Sequence, residues 1–396
     1  MITSTHLFTG GAGTLCGFIE AGYDAELGIN HDADSIATLL ANFTGLRAMR
    51  CDINNLDFRS IPRTAVLEGS PICTELSPAG RNSTERKQLE LAADRDHRPP
   101  APDFSRTRAT AWDLIRADEV HDYDVVCGEN VIDFATRWRL FDAWLNVWDA
   151  LGKNIQIVSV NAAHIAGDDN PAAPQLRNRV LFCFSKKGLP LPDLSIRPAS
   201  TCTACGPVKG LQRWGKRFDK PGIRKVGAYG PRNQYVYVCP TARCHRIVEP
   251  VVRTIREHLD LTAPGRRLGD GQPHRRKFEP YSPETHRKVA LGLDQFDEPF
   301  IVIQRNHSTV SSLDQPLSTL ATGNHHLLVT PAAKLDDCEV RQLDVRERAR
   351  IQRFPDSHVF AGNADSSQKR QVGNAVPVNV ARWKATRIRQ ALEAAA

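Results

Sequence analysis

A cysteine follows a short apolar run in Thr64-Ala65-Val66-Leu67-Glu68-Gly69-Ser70-Pro71-Ile72-Cys73-Thr74. The apolar run predicts a β-strand, and Cys73 then lies in the loop beyond its end. Ligands and reacting groups collect outside the carboxyl ends of the strands of a parallel sheet, where a loop cysteine can be exposed and electrostatically activated. Cys73 is therefore a candidate nucleophile, although a small buried cysteine would give the same local pattern.

The first 186 residues alternate short apolar runs with helical stretches, which predicts a doubly wound α/β sheet. The candidate strands are Leu7-Phe8, Leu27-Gly28-Ile29, Ala65-Val66-Leu67, Val125-Val126-Cys127, Ile155–Val160 and Val180–Phe184. Glu129 follows the strand at 125–127, so a carboxylate is delivered to the same edge of the sheet as Cys73. A stretch rich in Pro, Gly and Lys at 186–192 predicts a domain boundary.

Length and composition exclude several classes of protein. The 396 residues are enough for two domains, each with its own core. Hydrophobic residues make up 41% of the chain, and no run reaches the ~20 apolar residues of a membrane span. The N-terminus lacks a secretion signal, and the 10 cysteines are not distributed as in a small disulfide-stapled domain. We expect a cytoplasmic monomer with no membrane association.

The positive charge of the chain is concentrated in its middle. The net charge is +7, but residues 205–288 contain 19 Lys and Arg against 7 Asp and Glu. Aromatic and amide side chains are interleaved with these basic residues, as expected of a surface that contacts phosphates and bases. We interpret this segment as a nucleic-acid-binding surface, with an ordinary solvated basic face as the alternative.

Four cysteines inside this region form two close pairs. Cys202 and Cys205 are spaced as C-x2-C, and Cys239 and Cys244 as C-x4-C. Four thiolates at such spacing suit tetrahedral zinc, and the alternating strand before Cys239 suggests a zinc-ribbon hairpin. His245 is an alternative ligand, and four independent buried cysteines are the simpler interpretation.

Six motifs occur in an order that resembles the DNA cytosine-5 methyltransferase family. They are Phe8–Gly13, Glu68–Thr74, Asp124–Val131, Pro174–Arg179, Leu343–Pro355 and Gln371–Pro377. The resemblance is clear over residues 1–185 and about 338–390. The residues between these ranges resemble the family only as a variable insertion. The form Pro-x-Cys-Thr around Cys73 is similar to phage and actinobacterial members.

The resemblance implies a Rossmann-like domain that depends on S-adenosylmethionine, formed by residues 1–186 and 338–396. Residues 187–337 would form a smaller basic target-recognition domain for double-stranded DNA, with the zinc ribbon at 202–244. Cys73 would bond to ring carbon 6 of a flipped-out cytosine, Glu129 would protonate ring nitrogen 3, and carbon 5 would take the methyl group. Arg177 and Arg179 would hold the base or stabilise developing charge.

The resemblance also implies a set of cofactor-binding residues. These are Phe8, Gly10, Gly13, Asn30, Asp32, Asp52, Ile53, Pro71 and Asn374. Asn30 stands where the family usually has a carboxylate for the ribose, and Asp32 could replace that contact. Ala12, Ile72 and Thr74 replace the family's usual glycine, proline and glutamine, which suggests a subfamily.

Two other classes of protein compete with this interpretation. A regulatory DNA-binding relative would have no need of Cys73, Glu129 and the two arginines together. A nicotinamide oxidoreductase would need an acidic residue near position 30, where this chain has Asn30. The sequence leaves open the recognition site and the choice between restriction–modification, phage self-protection and regulation.

Overall fold

The computed structural model describes residues 1–72, 105–167, 169–272, 278–305 and 310–395, the side chains of 105–109 apart. The first strands are β1 (Thr3–Leu7), β2 (Asp24–Asn30), β3 (Arg47–Arg50), β4 (Val66–Gly69), β5 (Val125–Asn130), β6 (Lys153–Asn161), β7 (Gln175–Leu176) and β8 (Asn178–Lys186). All except β7 join one seven-stranded sheet in the order β3-β2-β1-β4-β5-β8-β6.

Parallel and antiparallel pairing divide this main sheet. Strands β1 to β5 pair in parallel, whereas β8 runs antiparallel between β5 and β6. The predicted α/β sheet is confirmed as a mixed sheet. Strand β3, with its exposed Arg47 and Arg50, lacks the apolar run that would have predicted it.

Helices cover both faces of the main sheet. They are α1 (Gly13–Glu20), α2 (Ala33–Asn42), α3 (Ser105–His121), α4 (Ile132–Arg137) and α5 (Phe141–Ala150). Trp144 and Trp148 on α5 are fully buried, and Trp148 stacks on Phe184 of β8 with ring centroids 4.4 Å apart. These tryptophans belong to the core of the domain, as their helical spacing predicts.

The basic insertion begins with a second sheet. Its strands are β9 (Ala199–Cys202), β10 (Gly206–Lys209), β11 (Leu211–Trp214), β12 (Tyr235–Val238) and β13 (Ile247–Pro250), in the order β10-β9-β13-β12-β11. Alternation along β12 turns Tyr235 and Tyr237 inward, where they share a buried cluster with Val160 of β6 and Val380 near the C-terminus. This sheet therefore packs directly on the main domain.

A third sheet completes the insertion. Its strands are β14 (Arg266–Arg267), β15 (Phe300–Ile303), β16 (Val310–Ser312), β18 (His326–Thr330) and β19 (Glu339–Gln342), in the order β14-β19-β18-β15-β16. Helix α6 (Pro283–Leu293) packs on this sheet, and β17 (Leu317–Ser318) pairs in parallel with β7. Since β19 pairs with β18, residues 339–342 still belong to this sheet.

The chain then returns to the main domain through three helices. They are α7 (Val345–Ile351), α8 (Asp365–Asn374) and α9 (Val378–Glu393). A capping box fixes the start of α7, where Asp344 accepts from the backbone of Glu347 and Glu347 reaches back to Asp344. Helix α9 lies against α1 so closely that a Cβ at Gly17 would lie 2.5 Å from Cβ of Ala381. Within the described ranges, no helix is long and apolar enough to cross a membrane.

The close approach of α1 and α9 gives the first prediction. Gly17→Ala should lower the free energy of unfolding by about 2 kcal/mol, because the added methyl group must push the two helices apart and overpacking outweighs the gain in helix propensity. Gly215→Ala is the control, since a Cβ there would lie 3.7 Å from Gln234 O and φ is −63°. Urea unfolding of both variants measures the difference, and equal stabilities would contradict the tight packing.

Candidate active site

The proposed cofactor residues lie at the carboxyl ends of three neighbouring strands. Thr9 N, just past β1, donates to Ile29 O of β2 at 3.3 Å, and Cys51 N, past β3, donates to Asn30 O at 3.0 Å. Between β1 and α1 the backbone turns sharply, with φ of +57° at Phe8, +51° at Gly10 and +70° at Ala12. The N-terminus of α1 has no side-chain cap, so its first N–H groups suit an anionic ligand group.

Alanine at position 12 is conformationally costly. Its φ of +70° falls in the left-handed region, which favours glycine, and the residue is fully buried. The family's usual glycine at this position therefore has a physical reason in the backbone turn. The fold retains the turn in spite of the alanine methyl group.

Asn30 and Asp32 are tied to each other and to α2. Oδ1 of Asn30 accepts from Asp32 N at 2.9 Å, and the Asp32 carboxylate caps α2 by accepting from Ser35 N at 3.0 Å. With one lone pair of the Asn30 oxygen engaged, its second lone pair and its amide nitrogen are the groups suited to a ribose hydroxyl. Asp52 similarly caps a short 3-10 helix that starts at Ile53, whose side chain is buried.

The glycine-rich turn also contacts the end of the chain. A Cβ at Gly13 would overlap Val376 O, so only glycine allows this approach. Asn374 is exposed at the C-terminal end of α8, two residues before Val376. The first and last of the six motifs thus meet in space, as the resemblance implies.

Glu129 and Arg179 form an ion pair at the neighbouring strand ends. Nε of Arg179 on β8 lies 2.7 Å from Oε1 of Glu129 on β5, and both side chains are largely buried. Nη1 of Arg179 also donates to Asn178 O at 2.8 Å, which fixes the guanidinium. A buried carboxylate held by a charged donor can bind a polar substrate group with a defined orientation.

The loop that leads to the candidate nucleophile is attached to β5. Nδ2 of Asn130 donates to Pro71 O at 3.1 Å, and Ile72 N donates to Oγ1 of Thr110 on α3 at 3.1 Å. Cys73 itself lies outside the described residues. Asn130 was not among the predicted site residues, although its place directly after Glu129 at a strand end was the available signal.

Arg177 has a different environment from Arg179. It is 2% exposed, and its guanidinium donates to Leu320 O at 2.8 Å, Gly373 O at 3.2 Å and Ala375 O at 3.1 Å. These contacts join β7 and β8 to the insertion and to the C-terminal motif. They assign Arg177 a structural role, whereas its contact with the substrate base remains a prediction.

The four paired cysteines of the insertion lie together. The sulfur atoms of Cys202, Cys205, Cys239 and Cys244 are all within 4.8 Å of one another, and those of Cys202 and Cys244 are 3.7 Å apart. Backbone N–H groups, that of Ala204 foremost, lower the pKa of the Cys202 thiol to about 7. Such a cluster can bind a metal ion through thiolates.

Comparisons with known proteins agree with these motifs. The chain is 42% identical to the Type II methyltransferase M.PspPI of Psychrobacter over 383 residues, which cover 95% of this chain and 76% of that protein. The model of C-5 cytosine-specific DNA methylases matches residues 272–390. The chain belongs to the DNA cytosine-5 methyltransferase family. A shorter match, 43% identical over 76 residues, links 18% of this methylase to 16% of the Type II methyltransferase M.Sau96I of Staphylococcus aureus.

Solved structures show the same fold at low sequence identity. The methylase superposes on Spodoptera frugiperda DNMT2 with a TM-score of 0.56 and 13% identity, over 96% of this chain and 98% of that one. At this identity the likeness concerns the fold alone. The similarity of fold extends over nearly the whole chain.

The contacts of Arg177 give the second prediction. Arg177→Met should lower the free energy of unfolding by about 3 kcal/mol, because three buried carbonyl groups would lose a charged donor. Arg213→Met is the control, since Arg213 is exposed and donates to one carbonyl, His245 O, at 3.4 Å. Thermal and urea unfolding measure the two variants. Equal stability of both would show that the buried contacts of Arg177 do not hold the segments together.

Proposed function

We propose that the protein is a DNA cytosine-5 methyltransferase that transfers a methyl group from S-adenosylmethionine to carbon 5 of a flipped-out cytosine in double-stranded DNA. Cys73 forms the transient covalent bond to the base. The observation that carries the proposal is the Glu129–Arg179 pair, which lies beside the loop from Pro71 at the edge of the sheet that also presents the turn after β1.

The residues at this edge of the sheet have different roles in the reaction. The Cys73 thiolate bonds to ring carbon 6, while Glu129 in its protonated form, positioned by Arg179, gives its proton to ring nitrogen 3 and becomes a carboxylate. The resulting enamine is nucleophilic at carbon 5. Carbon 5 then takes the methyl group and loses its proton to a base, and the electron pair of that C–H bond restores the ring double bond and expels the Cys73 thiolate. Ring nitrogen 3 returns its proton to Glu129, so no separate oxidant or reductant is required.

The turn after β1 fits S-adenosylmethionine. The uncapped start of α1 suits the methionine carboxylate, and the amide of Asn30 and the carboxylates of Asp32 and Asp52 end the neighbouring strands where ribose and adenine would lie. When bound, the cofactor supplies an electrophilic methyl group. Pro71 and Asn374 border the same edge and would complete the site.

Double-stranded DNA is the proposed partner. Residues 187–337 would form its recognition domain and residues 1–186 and 338–396 the catalytic domain, except that β19 (Glu339–Gln342) pairs within the third sheet of the insertion. The basic insertion supplies the charge that phosphates require. Flipping the base costs a few kcal/mol, and phosphate contacts offset that cost. The insertion contacts the main domain through Tyr235 and Tyr237 of β12 and through the pairing of β17 with β7.

Zinc is the metal proposed for the four cysteines. Zinc–sulfur bonds of about 2.3 Å in a tetrahedron place the sulfurs about 3.8 Å apart, and those of Cys202 and Cys244 are 3.7 Å apart. The ion would connect the turn after β9 to the segment after β12. It would thus stabilise a sheet of short strands whose outer face is polar and basic.

The covalent step gives the third prediction. A duplex with 5-fluorocytosine at the target position should trap the protein in the presence of S-adenosylmethionine, because fluorine cannot leave as a proton does. Cys73→Ala should abolish the trapped band on a denaturing gel, and Glu129→Gln should slow trapping by about 100-fold. Cys338→Ala is the control, because this buried cysteine directly precedes β19 and packs in the core of the third sheet.

Two results would contradict the mechanism. Methylation by Cys73→Ala would exclude this nucleophile, and an adduct that maps to another cysteine by peptide mass spectrometry would reassign the site. Tight, specific DNA binding without methylation or trapping would instead favour the regulatory DNA-binding class.

The cysteine cluster gives the fourth prediction. Purified protein should contain about one zinc ion per chain, and Cys239→Ser should lose most of it because zinc ligands act together. Cys338→Ser should retain the metal and serves as the control. Elemental analysis after dialysis measures both variants. A metal-free native protein with four reactive thiols in the cluster would remove the zinc proposal.

A further inference from the structure

Strands β4 and β5 stop pairing just before the active site. Their parallel pairing ends with Glu68 opposite Cys127, and β4 ends one residue later at Gly69. Beyond this point the Oγ atom of Ser70 accepts a hydrogen bond from Glu129 N at 3.1 Å. The side chain of Ser70 thus provides the acceptor for the backbone of the proposed acid after the β4 ladder has ended.

The hydroxyl group of Ser70 has a defined orientation. It donates its single hydrogen to Oε1 of Glu68 at 3.3 Å, so a lone pair is directed to the N–H of Glu129. Glu68 is 1% exposed on a central strand, and its carboxylate cannot move without disturbing the core. Glu68 therefore decides which way the Ser70 hydroxyl points.

A buried lysine from the end of the chain holds Glu68. Nζ of Lys384 on α9 lies 3.4 Å from Oε1 of Glu68, and Nδ1 of His6 lies 3.7 Å from Oε2. Burial raises the pKa of Glu68, but Lys384 and His6 outweigh it and keep the pKa below its ordinary value. A buried ion pair contributes little net stability compared with apolar residues of the same size. The Glu68–Lys384 pair therefore suggests a role beyond packing.

We propose that Ser70 is a positioning residue for methyl transfer, oriented by the Glu68–Lys384 pair, which fixes the backbone of Glu129 relative to the loop of the nucleophile. The inference rests on the proposed function. Ser70 binds the backbone of the acid directly and precedes the nucleophile Cys73 by three residues in sequence. One hydroxyl group thus fixes the backbone of Glu129 beside Ser70, and a misplacement of about 1 Å can cost 100-fold in rate.

Steady-state kinetics with Ser70 variants test this inference. Ser70→Ala should lower kcat about tenfold and leave KM for DNA and for S-adenosylmethionine within about twofold, because the lost contact positions the acid and does not bind either substrate. Ser159→Ala is the matched control. Its Oγ also accepts a backbone N–H, from Gly227 at 2.9 Å, but on β6 away from Glu129. The control should lose stability and retain kcat.

Hydrogen exchange at the Glu129 amide gives a second readout that does not depend on activity. This amide should be protected in the wild-type protein and in Ser70→Thr, and should exchange at least tenfold faster in Ser70→Ala. The double variant Glu68→Gln with Lys384→Met removes both buried charges together. It should lower kcat about fivefold, since a neutral acceptor orients the hydroxyl less strongly.

Three results would overturn the inference. The first is an unchanged kcat in Ser70→Ala, and the second is unchanged exchange at Glu129 in that variant. The third is a slow Ser70→Thr whose Glu129 amide is still protected, because the contact would then be present without its effect. A wild-type protein that methylates no DNA would contradict the proposed function instead. The exchange measurement would still decide whether Ser70 Oγ binds the backbone of Glu129.

Discussion

The parallel pairing of β4 and β5 is the constraint on which the candidate site depends. Because the two strands run side by side and end together, the loop toward Cys73 and the side chain of Glu129 emerge at one edge. A Cβ at Gly128 would overlap Gly69 O, so the two strand ends approach as closely as glycine allows. Hydrogen bonds from Asn130 to Pro71 and from Glu129 to Ser70 then join the residues after β4 to the end of β5.

The end of the chain completes this arrangement. Helix α9 packs on α1 and brings Lys384 beneath the sheet to Glu68, while the segment from Gly373 to Val376 contacts Arg177 and Gly13. The segment between β11 and β12 of the insertion reaches the same region. Oδ1 of Asn178 accepts from Asn161 Nδ2 at 3.0 Å and from Tyr229 N at 3.1 Å, beside Arg179. The insertion therefore provides a basic surface and also contacts the candidate site through Tyr229 and Asn178.

Much of this architecture could be predicted from local patterns. Apolar runs followed by Gly, Pro or Asn located the central strands, and the spacing of Cys202, Cys205, Cys239 and Cys244 predicted a cluster that the structure brings together. The different environments of Arg177 and Arg179 could not be predicted, because Arg177 lies in the break between β7 and β8, where the alternation of a strand does not apply. The orientation of the Ser70 hydroxyl also depends on Lys384, which is more than 300 residues away in sequence and pairs with Glu68. No local sequence pattern predicts a contact over that separation.

The limits of prediction were greatest where backbone geometry decides a role. The sequence placed Asn30 where the family has a carboxylate for the ribose, but it did not show that Oδ1 of Asn30 already accepts a hydrogen bond from Asp32 N. Ala12 resembled a minor substitution, yet its positive φ shows why glycine is preferred there. Strand β3, with an arginine at each end, has no apolar run and becomes recognisable only through its pairing with β2.

The identity of the methylated nucleoside tests the central claim most directly. Duplex DNA that contains many short sequence contexts should be incubated with the protein and S-adenosylmethionine carrying an isotopically labelled methyl group, then digested to nucleosides and analysed by mass spectrometry. The account predicts label in 5-methylcytosine alone. Label in N4-methylcytosine or N6-methyladenine would contradict it, because an exocyclic amine needs neither a covalent cysteine adduct nor the Glu129–Arg179 pair.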